Sequence, residues 1–157
     1  MDRHNSNIGR SLRPRGPVSL RLTRRVSAEL TVLELAGEVD LLTVSRLAAG
    51  LDDEVRHGDG DVIVDLRPVE FIDSSGLHVL LGAQRRLARQ GRGLGIVCTA
   101  GPVLRVFELS RLLDTLDVVD SVREFRRRRV SSLTRRRAAR ARPADGGDAP
   151  PRAAHEG

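Results

Sequence analysis

The chain has no lysine, no tryptophan and no tyrosine, and among its 157 residues it has one cysteine and three phenylalanines. These shortages close off several kinds of chemistry. A phosphate-binding loop of the G-x-x-x-x-G-K type requires a lysine, so that route to a nucleotide site is excluded. Cys98 has no partner for an internal disulfide, which suits a reducing cytoplasm, and within the apolar run Leu94-Gly95-Ile96-Val97-Cys98 it reads as a buried strand residue rather than a reactive thiol. The four histidines, at 4, 57, 78 and 155, make no metal-ligand spacing with Cys98, so no zinc site and no other cofactor is expected. No apolar run approaches the roughly 18 residues a spanning helix needs, and Met1 to Asn7 lacks the apolar stretch of a signal peptide. A soluble protein without membrane insertion is expected, of a length that suits one domain of ~100 to 200 residues.

The basic charge is all arginine and is unevenly spread. The net charge is +6. Residues 1–17 hold four Arg against one acid, residues 126–157 hold ten against three, and the stretch between holds 13 against 17. The tails are therefore basic and the body acidic. A basic complement made only of arginine points to a GC-rich coding sequence more readily than to a recognition surface. The C-terminal arginines could neutralise phosphates non-specifically, but the tail has no aromatic on which a base could stack, so no specific nucleic-acid partner is expected.

Period-two alternation in Val18 to Thr23 and again in Leu30 to Leu35 predicts an opening hairpin, with Ser27-Ala28-Glu29 in the turn. Thr43 is placed to cap a helix whose Val44, Leu47, Ala48, Leu51 and Val55 follow helical spacing, and Gly58-Asp59-Gly60 ends it. Asp61 to Leu66 reads as a buried strand closed by Arg67-Pro68. After Ser74 comes a helix with Leu77, Leu80, Leu81, Gln84, Leu87 and Ala88 on one face and Arg85, Arg86 and Arg89 outward. A third buried strand covers Gly93 to Cys98, a helix starts at Pro102, a short strand holds Val118-Val119, and Ser121-Val122-Arg123-Glu124 has the capping-box spacing for a last helix. These elements predict an α/β fold with a mixed sheet and helices packed mainly on one side. The expected division is a flexible arm over 1–16, a domain over 17–129 and a disordered Arg/Ala/Pro-rich tail over 130–157.

The most informative segment is Phe71-Ile72-Asp73-Ser74-Ser75-Gly76-Leu77, which sets two adjacent hydroxyls at a helix N-terminus. Read from the residues alone, Asp73, Ser74 or Ser75 caps the helix, and the same place suits a phosphate carried on either serine. Glu38 and Asp40, after the second strand, and Asp73 are either solvated caps and loop carboxylates or an acidic rim that docks a partner. A hydrolase built on Ser74, His78 and Asp73 fails on geometry, because position i+4 points along the helix rather than at the serine hydroxyl.

Val62-Ile63-Val64-Asp65-Leu66, the Phe71 to Leu77 segment, Gly101-Pro102-Val103-Leu104-Arg105-Val106-Phe107-Glu108-Leu109-Ser110 and Gly37-Glu38-Val39-Asp40 together resemble the signature stretches of STAS domains, in order, from about Val18 to Phe125. The likeness is strongest to the anti-sigma factor antagonist branch. The resemblance implies that Ser74, with Ser75 the second choice, is phosphorylated by an anti-sigma factor serine kinase. It also implies a partner surface of Glu38, Asp40, Asp73, Ser75, Gly76 and His78. The unphosphorylated protein would bind the kinase and free its sigma factor, phosphate would break that contact, and a serine phosphatase would restore it, making the protein a binding module and not an enzyme. His78 departs from the family, which often has a small residue there. The alternative is a STAS accessory subunit of a transport or other regulatory complex with no phosphorylation cycle. Monomer and weak dimer are both left open.

Overall fold

Strands β1 (Arg21–Ser27) and β2 (Leu30–Val39) form an antiparallel hairpin in register from Arg21↔Ala36 to Ser27↔Leu30, closed by the Ser27 hydroxyl donating to the Leu30 carbonyl at 2.9 Å. The structure, a computed structural model, describes residues 19–27 and 29–141. The first strand lies later than the alternation suggested. Arg24-Arg25-Val26-Ser27 belong to it, not to the turn, because pairing with β2 overrides the weak local signal of two adjacent arginines.

Helix α1 (Val44–His57) follows, then β3 (Asp61–Asp65), β4 (Val69–Ile72), α2 (Ser74–Arg89), β5 (Leu94–Val97), α3 (Pro102–Leu109), a 3-10 turn (Leu112–Asp114), β6 (Asp117–Val119) and α4 (Val122–Ala141). The sheet order is β1-β2-β3-β5-β6, antiparallel between β1 and β2 and parallel elsewhere, with β4 paired to the far half of β2. Strand β2 is thus forked. Leu30 to Glu34 pair with β3, and Gly37 to Val39 pair with β4 across a register shift at Gly37/Glu38. Gly37 has φ +108°, and a Cβ there would stand 2.2 Å from the Ser19 carbonyl oxygen, so the bulge needs glycine. Strand β4 was not anticipated from the sequence, since four residues with two exposed carry too little periodicity to register.

One sheet face is buried under α1, α2 and α3 through Leu33, Leu35, Val62, Val64, Leu47, Leu51, Leu80, Leu87, Ile96 and Phe107. The other carries a smaller cluster of Leu30, Ile63, Val97, Val119 and Phe125, covered by the start of α4. Three helices against one gives the expected mixed sheet with helices mainly on one side. In α2 the buried line is Leu77, Leu80, Ala83 and Leu87, while Ala88, expected inward, is exposed. Glu54 on α1 is fully buried and ion-paired to Arg24 of β1, a pairing across 30 residues that helical spacing could not reveal.

The last helix corrects the expected disorder from residue 130. It begins as foreseen, with the Ser121 hydroxyl accepting from the Glu124 N–H at 3.2 Å, but runs on to Ala141. Its first turn is anchored by buried Phe125, and once nucleated a helix gains one hydrogen bond per added residue, which arginine and alanine support well. The 1–16 arm and the 142–157 part of the tail lie outside the described residues.

Candidate functional site

Strand β4 delivers the chain directly into α2, and the junction is pinned to β2 by the Asp73 N–H donating to the Val39 carbonyl at 3.0 Å. Gly76 makes the seat close enough. A Cβ there would lie 2.7 Å from Ile72 Cγ1 and 2.8 Å from Val39 Cγ1, so only glycine lets the first turn of α2 rest on β2 and β4.

Asp73 is the N-cap. Its carboxylate accepts from the Ser75 N–H at 2.8 Å, the Gly76 N–H at 3.4 Å and the Ser75 hydroxyl. Its carboxyl is held below the usual range, first by the Ser75 hydroxyl and then by the backbone N–H groups of Ser75, Gly76 and Leu41. Two of the donors expected to cradle an anion at this helix end, the Ser75 and Gly76 N–H groups, are therefore already committed to one. Asp40 makes a similar set of bonds in the turn that leads into α1: its Oδ1 accepts from the Leu42 and Thr43 N–H groups, each at 3.0 Å. Thr43, foreseen as the cap, stands at the N-cap position but makes no side-chain cap bond, and its hydroxyl also donates to the Glu38 carbonyl at 2.8 Å.

The two serines are in different states. Ser75 is half-buried with its hydroxyl spent on Asp73, whereas Ser74 is exposed and its hydroxyl bonds to no other described residue. His78 is exposed and its Nδ1 lies 2.7 Å from the Ser74 carbonyl, which can only accept, so Nδ1 carries the proton. The ring thus addresses the backbone of Ser74 and not its hydroxyl. Glu38 is half-buried on β2, just past the bulge. Glu38, Asp40, Asp73, Ser74, Ser75, Gly76 and His78 are all carried by the adjoining ends of β2 and β4 and the first turn of α2.

Sequence reasoning missed Leu41 and Leu42, which are 77% and 83% exposed in the loop between Asp40 and α1. A leucine left in water forgoes ~1.5 to 3 kcal/mol of burial, and two together form an exposed apolar patch beside the α2 cap. The signal was available, because neither residue fits the helical spacing that starts at Val44. Cys98 is buried just past β5, and burial, with a lesser push from Asp65, raises its thiol to about 11, far from thiolate formation at neutral pH. Among the described residues there is no group of three or more metal-binding side chains and no helix long and apolar enough to cross a membrane.

The STAS domain model matches residues 21–125. The chain is 30% identical over 86 residues to the anti-sigma-B factor antagonist of Staphylococcus aureus, a match covering 55% of this chain and 80% of that protein. Against the anti-sigma F factor antagonist of Paenibacillus polymyxa it is 25% identical over 91 residues, covering 57% and 78%. Its fold superposes on an anti-sigma factor antagonist from Mycobacterium paratuberculosis with a TM-score of 0.65 at 22% identity, covering 75% of this chain and 97% of the other. For the Bacillus cell fate determinant SpoIIAA in its phosphorylated form the TM-score is 0.50 at 26% identity, covering 70% and 98%.

Proposed function

The chain belongs to the STAS domain family, and from that premise we propose that it is an anti-sigma factor antagonist switched by phosphate on Ser74. The unphosphorylated form binds an anti-sigma serine kinase and so releases the sigma factor that kinase holds. Phosphorylation ends the contact, and a serine phosphatase resets it. Support comes from relatives named as antagonists and from a similar protein solved in a phosphorylated form. The partners imply a cytoplasmic setting, where ATP and sigma factors meet.

The observation that carries the reading is the contrast between the hydroxyls. Ser74 Oγ is exposed and uncommitted, so it can attack the γ-phosphoryl group of ATP, losing its proton to a base of the kinase as ADP departs; Ser75 would first have to leave Asp73. A phosphoserine brings about 1.5 to 2 negative charges. Two α2 donors that could have absorbed them, the Ser75 and Gly76 N–H groups, are held by Asp73, so much of the new charge stays unneutralised beside Asp73 and Asp40 and next to Leu41 and Leu42. A surface that docks by burying those leucines would then have to desolvate the phosphate as well, which opposes binding.

The test is incubation with a candidate anti-sigma serine kinase and ATP, with the phosphosite read by mass spectrometry and partner affinity by calorimetric titration. Phosphate should appear on Ser74, Ser75→Ala should remain a substrate, and Ser74→Asp should bind the kinase at least about tenfold more weakly while keeping its circular dichroism. Phosphate found only on Ser75, or wild-type affinity in both Ser74→Asp and Ser74→Ala, would reject the switch. Absence of phosphate at every site would favour the accessory-subunit alternative.

A further inference from the structure

Helix α4 holds nine arginines and one acid, Glu124, in 20 residues. Among the described side chains, two of the arginines are spent within the domain. Arg128 pairs with Asp117 at 3.0 Å and Glu124 at 2.6 Å, and Arg129 pairs with Asp61 at 2.8 Å while donating to the Gly91 carbonyl at 2.6 Å. Arg123, Arg126, Arg127, Arg135 and Arg137 are exposed, and none is ion-paired to another described residue. With 3.6 residues per turn, Arg123, Arg126, Arg127 and Arg137 fall on the side away from buried Phe125, in a stripe about 21 Å long. Like charges three and four residues apart repel, and the carboxylate that acts on this group, Glu124, which attracts Arg127, is itself ion-paired to Arg128.

We infer that α4 is a sequence-independent binding element for the phosphodiester backbone of double-stranded nucleic acid. A regular array of phosphates neutralises the unrelieved stripe, and each guanidinium can grip phosphate oxygens with two parallel bonds. Folded presentation is what the sequence alone did not reveal. The helix is anchored at Phe125 and Arg129 and projects past the sheet, with a diameter of about 10 to 12 Å that suits a duplex groove of about 12 Å. A single strand is disfavoured because the one aromatic of α4 is buried and offers no ring to a base. A lipid surface is disfavoured because the large exposed apolar residues of α4 are Val130 and Leu133 alone, and beyond Leu133 the helix contains only threonine, arginine and alanine, too little apolar surface to sink into a bilayer.

The rest of the molecule agrees with this assignment. Residues 19–121 hold 12 arginines against 16 acids, so the body is repelled by a polyanion and the helix is the part that approaches it. Arg129 meets the chain at Gly91, just past the C-terminal end of α2, while Ser74 opens its N-terminal end, 16 residues or about 24 Å away. A partner at Ser74 and a duplex on α4 can therefore be held at once.

The experiment is fluorescence anisotropy of labelled random-sequence DNA duplex with the full chain and with the variant Arg126→Ala/Arg127→Ala/Arg135→Ala/Arg137→Ala, across a salt series. Alanine raises helix propensity, so a loss is not explained by melting α4, and circular dichroism checks this. The wild type should bind unrelated duplex sequences equally, with log K falling against log salt at a slope of about −4; the variant should bind at least about tenfold more weakly at low salt, with a slope shallower by about 3. Three outcomes overturn the inference: no duplex binding by the wild type; a variant with the wild-type slope, which assigns binding to the terminal arginines; or equal or tighter binding to vesicles of phosphatidylglycerol and phosphatidylcholine in equal parts.

Discussion

At the Ser74 end of α2 the carboxylates of Asp40 and Asp73 are committed to the backbone N–H groups of the turns they cap, whereas beyond the other end of the helix five exposed arginines of α4 have no ion pair among the described residues. Both ends are charged, yet the charge does different things. The acids near Ser74 hold local backbone in place and set a negative field into which a phosphate would be added. Of the described arginines of α4, Arg123, Arg126, Arg127, Arg135 and Arg137 hold little in place and remain available to an external anion. A count of charged residues would have ranked the two ends as equivalent sites of opposite sign; the hydrogen bonds show one as architecture and the other as unspent surface.

That contrast breaks most severely if α4 loses its anchor. Phe125 is 2% exposed and lies against Gly93 and Gly95, where an added Cβ would come within 3.2 Å and 2.5 Å of its ring. Phe125→Ala should cost about 3 to 5 kcal/mol in urea unfolding. It should also loosen α4 while leaving amide exchange in the first turn of α2 unchanged, since the two lie on opposite faces of the sheet. Protection lost at Ser75 and Gly76 as well would mean that the two ends are one cooperative unit.

A smaller effect is expected at the acidic end. Asp73→Ala removes the acceptor for two N–H groups and a hydroxyl and should lower stability by about 1 to 2 kcal/mol. Because the Asp73 carboxyl is held below its ordinary value when folded, its contribution is complete above the unfolded value near pH 4 and is lost as pH falls through the folded value. The stability gap between wild type and Asp73→Asn should therefore shrink below about pH 4 and stay constant above about pH 5. A gap that widened on acidification would mean the carboxylate is not the capping species.

The smallest change is expected where a surface arginine is already paired. Arg128 is 48% exposed on its side chain, and Arg128→Ala should alter the unfolding free energy by less than about 1 kcal/mol despite two ion pairs, because solvent screens exposed charges. A loss well above that would move Arg128 from the surface into the framework of α4.

Most of the helix and strand order was legible because the apolar residues that make it are local and periodic: Leu47, Leu51 and Val55 in α1, Val62 to Val64 in β3, and Val103 with Phe107 in α3. The Ser74 segment was legible too, since a strand followed by Asp-Ser-Ser-Gly is a local pattern. What escaped was short or non-local. Strand β4 has four residues and a partner 33 positions back, from Phe71 to Glu38, and the Glu54 to Arg24 pair joins α1 to β1. The Leu41-Leu42 pair was visible as a break in periodicity, but only its exposure in the fold gave it meaning.

By itself, the sequence determined that a helix would start at Asp73-Ser74, that no lysine-dependent phosphate loop could exist, and that the basic charge would gather outside an acidic body, because capping chemistry, residue identity and charge order are properties of neighbours along the chain. Only the tertiary structure decided which serine is free. It took the seating of Gly76 on Val39 and Ile72 to orient the first turn so that Ser75 faces Asp73 and Ser74 faces water. It also took the packing of Phe125 under the sheet to turn an arginine-rich segment without its own apolar period into a projecting helix, since helix nucleation is costly and was provided by a contact between residues far apart in sequence.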